Sequence, residues 1–192
     1  MSSSTPRTGA ATSMSITDLN AKLITFDTSL SYAEVVARLD EAVNKQDSGG
    51  ILLKLRNAKS REEIEEIIDT ITGLENDFLY FLDIRHHPWL NTYYQTTSTP
   101  STVLYTIGNP LIAQTILRHD LRAGLYIPPR LLVQEKSDGK GTLLVYQLPS
   151  SVMIVPGEGK ENEELKKAVE NLDKKFETLA RKVVGMEGKG KL

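Results

Sequence analysis

Tyr105-Thr-Ile-Gly-Asn-Pro-Leu-Ile-Ala113, followed by Asp120-Leu-Arg-Ala-Gly-Leu-Tyr-Ile-Pro128 and Arg130-Leu-Leu-Val-Gln-Glu135, is the stretch that decides the fold. Ser101–Ile107 alternates in the period of a half-buried strand. Gly108 breaks the pattern, Asn109 suits a helix N-cap and Pro110 suits the first helical position, so a helix is predicted over Pro110–His119. Pro128-Pro129 then leads into a strand over Arg130–Glu135. Ser137-Asp-Gly-Lys-Gly141 has turn composition, and Thr142–Gln147 returns as the second arm of a hairpin. Strand, capped helix and hairpin in this order imply one domain that mixes helices and strands.

Upstream, Lys22–Asp27 is short and rich in strand formers. Ser31 and Glu34 form a capping-box pair, and Val35, Val36, Leu39, Ala42 and Val43 follow at helical spacing, which predicts a helix over Ser31–Lys45. Ile51–Leu55 reads as a short strand or an irregular run. Ser60 and Glu63 repeat the capping pattern ahead of Ile64, Ile67, Ile68 and Ile71, with Gly73 as the stop. Phe78–Ile84 is a strand candidate, and Arg85–Pro100 reads as irregular, although dense in ring-bearing residues. Downstream, Leu165, Val169, Leu172, Phe176, Leu179 and Val183 make a heptad-like seam, so Asn162–Val184 is predicted to be one long helix. That seam fits docking on the sheet or self-association.

The chain has 192 residues, 40% of them hydrophobic, enough for one core. The expected organisation is a disordered leader over 1–18, a single domain over 19–184 with an insert around 51–99, and a frayed tail over 185–192. A formal charge of −2 and a pI near 6.0 supply no field to attract nucleic acid. No stretch reaches the roughly 18 apolar residues of a membrane span. Cysteine is absent, which excludes disulfides, thiolate metal sites and thiol nucleophiles; with no apolar export signal, a cytoplasmic location is expected.

The segments from Tyr105 to Ala113, Asp120 to Pro128, Arg130 to Glu135 and Thr142 to Tyr146, with Pro149, resemble the family named domain of unknown function 302. His87-Pro-Trp-Leu90 is similar to a segment of its longer members. The resemblance implies an antiparallel sheet with helices packed on one face, in TATA-binding-protein-like topology. The long C-terminal helix departs from the shorter members. No settled activity comes with the family.

Among residues with chemical potential, His87 is the candidate general acid or base, because an imidazole titrates near neutrality. Trp89, Tyr93 and Tyr94 are candidate pocket lining, offering apolar area with one polar tip each. Asn109 at the strand-to-helix turn is a candidate binding residue, although capping alone explains it. Arg130, entering a strand after two prolines, is the candidate anion anchor. His86 and His87 are adjacent, so on a strand they face apart; no metal and no cofactor are expected.

Two readings follow. One is a small-molecule-binding domain for an apolar ligand bearing an anionic or carbonyl group, with the aromatic insert as a lid and a homodimer through the sheet edge or tail helix as an open arrangement. The other is a cofactor-independent lyase, isomerase or cyclase that uses His87 or a tyrosine as acid or base.

Overall fold

A computed structural model describes residues 12–73, 76–155 and 162–186; the first eleven residues of the expected leader and most of the expected frayed tail lie outside them. The elements are β1 (Leu23–Thr28), α1 (Tyr32–Ala42), α2 (Ile51–Asn57), α3 (Arg61–Thr72), β2 (Leu79–Arg85), α4 (His87–Tyr94), β3 (Thr102–Gly108), α5 (Pro110–Leu117), a 3₁₀ helix (Leu121–Tyr126), β4 (Arg130–Glu135), β5 (Thr142–Gln147), α6 (Ser150–Met153) and α7 (Glu163–Val183). The strands form one antiparallel sheet in the order β1-β5-β4-β3-β2. The α+β class with a long C-terminal helix is as the sequence predicts.

Strand alternation sorts the side chains between the two faces. Val103, Tyr105 and Ile107 of β3, Leu131 and Val133 of β4, and Leu144 and Tyr146 of β5 point to one face and are buried. The helices collect there. Every residue of the predicted α7 seam is buried, with Phe176 edge-on to both Phe78 and Tyr146 at ring distances of 5.5 and 4.8 Å. The seam therefore docks on the sheet. A smaller cluster of Ile51, Ile68, Ile71 and Leu79 fixes α2 and α3 beside it.

The local stops behave as capping chemistry dictates. Ser31 and Glu34 make both hydrogen bonds of a capping box. At α3 only half of one forms: Ser60 Oγ accepts from the Glu63 amide, but the Glu63 carboxylate accepts from Lys59 N instead of Ser60 N. In the β4–β5 turn Gly141 has φ +119, and a Cβ there would lie 2.1 Å from the Thr28 carbonyl oxygen, so only glycine fits.

Two expectations are corrected. Ile51–Leu55 is not a strand or irregular run but the body of α2. It opens after Gly50 in left-handed conformation and buries Ile51 while leaving Leu52 and Leu53 exposed; a consecutive apolar run carries no periodicity to distinguish these states. Arg85–Pro100 is not irregular throughout. After Arg85 ends β2, His87–Tyr94 forms α4, with Pro88 in the first turn, where its missing N–H is harmless, and Gln95 left-handed at the stop. His86 and His87 therefore sit at a helix start, not on a strand.

Candidate functional site

The Gly108-Asn109-Pro110 turn that ends β3 also begins a cavity. Asn109 Oδ1 accepts from the Leu111 amide at 2.8 Å, capping α5, and its Nδ2 donates to the Asp77 carbonyl at 3.0 Å. Both ends of the amide are thus engaged, and they hold the turn against the chain leading into β2. Gly108 is buried, and a Cβ on it would come within 3.0 Å of the Pro128 side chain. Its lack of a side chain lets the Ile127–Pro129 segment approach, and the Pro129 carbonyl accepts from Ile107 N at 3.1 Å.

The space enclosed measures about 500 Å³, within the common range for small-molecule sites. Phe78, Phe81, Ile112, Ile116, Leu117 and Leu172 give it an apolar wall. Arg118 and Leu121, both exposed residues on that wall, stand at its mouth. Just beyond, Asp120 caps the 3₁₀ helix through the Arg122 amide and takes a bidentate pair from the Arg122 guanidinium. Hydrogen bonding to Arg122 holds the Asp120 carboxyl below its usual range.

Of the candidate site residues read from the sequence, Asn109 alone lines this cavity. His87, Trp89, Tyr93 and Tyr94 lie together on α4. The His87 Nδ1 accepts from Thr102 N at 3.0 Å, which ties the helix start to β3. Trp89 sets its ring edge-to-face on His86 at 6.3 Å, and Tyr93 and Tyr94 pair at 5.1 Å. Trp89, Tyr93 and Tyr94 are all more than half exposed. Arg130 opens β4, exposed, in a shallow depression with Tyr126, Pro129 and Gln147.

Sequence reasoning missed a second polar centre, under the end of α1. Lys45 Nζ lies 2.7 Å from Asp83 Oδ2, 3.1 Å from Asp40 Oδ1 and 3.4 Å from the Tyr105 hydroxyl, and it sits over the rings of Tyr80 and Tyr105. The Tyr105 hydroxyl donates to Asp40. Burial would lower the Lys45 pKa, but the bonds to Asp83 and Asp40 outweigh it and raise it; burial and the Asp40 contact push Tyr105 up as well. Lys45 has three N–H donors and three partners, so this centre is a closed clamp with no donor left for a ligand. The available signal was Asp83 within an otherwise apolar strand run. No group of three or more His, Asp or Glu residues suited to hold a metal occurs among the described residues, and none of their helices is long and apolar enough to cross a membrane.

A family model, Domain of unknown function DUF302, matches residues 56–180, well over half of the chain. The chain belongs to this family. The DUF302 match takes in α3, β2, α4 and most of α7 together with every described cavity-lining residue except Leu55. Among solved structures, the chain is similar to the uncharacterized conserved DUF302 protein from Bacillus stearothermophilus, with 16% sequence identity and a TM-score of 0.56, covering 84% of this chain and 97% of that one. At that identity the likeness shows the fold. A search of curated proteins gave no match.

Proposed function

We propose that this DUF302 protein binds an apolar small molecule in the cavity between α5, the 3₁₀ helix and β2. The single observation that carries this reading is an apolar volume of about 500 Å³, walled by the turn and helix that follow β3. Closed cores hold few voids larger than a water molecule, so an apolar space of this size supports binding over a packing defect. The aromatic residues of α4 and the imidazole of His87 are outside its lining, which favours binding over acid–base turnover at this place.

The test uses a neutral apolar fluorophore, N-phenyl-1-naphthylamine. Saturable fluorescence enhancement is expected with the wild-type chain. It should be lost in Ala113→Trp, where an indole on the α5 wall fills the space, and retained in His87→Ala. Equal enhancement by wild type and a folded Ala113→Trp, or none by the wild type, overturns the reading.

A further inference from the structure

We infer that the ligand class is a single-chain amphiphile with a monoanionic head, an alkyl carboxylate, whose chain fills the cavity and whose carboxylate pairs with Arg118. The inference rests on the binding reading above and adds the head group and its anchor.

Polarity in this site is graded from inside to mouth. The deep wall is Phe78, Ile116 and Leu172, all buried. Of the polar side chains on the wall, Asn109 is engaged at both ends, and Gln114 Nε2 donates to the Leu111 carbonyl at 3.2 Å. Arg118 is the one cationic side chain among the described lining residues, and no carboxylate among them lines the cavity with it. Among the described residues no acidic side chain pairs with its guanidinium, whereas neighbouring Arg122 is held by Asp120. Arg118 follows the last turn of α5 and is exposed, as is Leu121, which also lines the space.

A wholly neutral apolar guest would leave this charge unused. A guest with charge along its length would have to bury it against phenylalanine and leucine without a partner, which is strongly unfavourable. A chain with one anionic end satisfies both regions at once. Arg suits the carboxylate because its planar fork of N–H donors can meet two oxygens.

The experiment is calorimetric titration of the full chain with n-alkyl carboxylates from hexanoate to decanoate, with decan-1-ol and decylamine as controls. Affinity is expected to rise about fourfold per added methylene. Arg118→Gln should weaken decanoate by about fivefold, the scale of a solvent-facing ion pair, and leave decan-1-ol unchanged. Arg118→Glu should reverse the preference, binding decylamine more tightly than decanoate, an outcome that misfolding cannot imitate. If decan-1-ol binds as tightly as decanoate and Arg118→Glu does not alter the ratio of decanoate to decylamine, the head-group assignment is overturned while the cavity reading stands. If none of the chains binds the wild type, both are overturned.

Discussion

Lys45 and Asp83, 38 positions apart in sequence, meet with Nζ 2.7 Å from Oδ2 and join the end of α1 to edge strand β2. Asp40 and Tyr105 complete the contact. Because the cation serves two carboxylates, removing it does more than delete one bond.

Lys45→Met is expected to destabilise the chain by about 1–3 kcal/mol, since it leaves two part-buried carboxylates, Asp40 and Asp83, with only the Arg85 guanidinium, 4.0 Å from Asp83, as a counter-charge. The pH dependence has a definite sign. The folded-state pKa of Lys45 is raised above the ordinary 10.5, so its contribution is complete below that pH and fades as pH rises through the folded value. Urea denaturation across pH 7 to 11 checks this: the gap between wild type and Lys45→Met should be constant to about pH 10 and narrow above it. A gap that widens with alkalinity would contradict the assignment.

Asp173 on α7 accepts from Ser150 N at 3.0 Å. Its pKa is raised from the usual 3.8, with burial outweighing that hydrogen bond. A raised acid pKa means the folded state holds its proton more tightly, so stability falls as pH climbs from 3.8 through the folded value, and the charged form is a burden at neutrality. Asp173→Asn keeps an acceptor for Ser150 and removes the charge. Its Tm should rise by about 2 °C at pH 7 and show no gain at pH 3, as read by thermal melts at both pH values.

Phe176 is fully buried where α7 crosses Phe78 and Tyr146. Phe176→Ala should cost about 3–5 kcal/mol, the scale of a lost core aromatic plus the cavity it leaves. Equilibrium denaturation with far-ultraviolet dichroism would measure it. A loss under 1 kcal/mol would mean that α7 contributes little to the core.

Asn109→Ala removes the α5 cap and the tether to Asp77. A loss of about 1–2 kcal/mol is expected. Asn109→Ser should restore the cap but not the tether, and recover roughly half of that loss. Full recovery by serine would show that the bond to the Asp77 carbonyl contributes nothing.

Much of the fold was legible where local chemistry repeats. Arg130–Glu135 and Thr142–Gln147 emerge with the predicted bounds, because alternation and a glycine-bearing turn leave one arrangement. Asn109-Pro110 starts α5 as cap chemistry requires. α2 and α4 were not legible. Ile51-Leu-Leu53 has apolar residues in a row, and His87–Tyr94 is built from residues of middling helix propensity, so neither has a period or a strong preference to read.

The sequence by itself determined the strands, the capped helices α1, α3, α5 and α7 and the cap at Asn109, since these depend on neighbours within a few residues of one another. Only the tertiary structure decided what the Tyr105–Pro149 segment encloses. The cavity needs Phe78 and Phe81 from β2 and Leu172 from α7 beside α5, and the clamp needs Lys45 beside Asp83. Such contacts form between residues brought together by sheet order and helix docking, which no local spacing encodes. For the same reason Arg118, a turn-end residue with no local distinction, joins the lining of that space only through the fold.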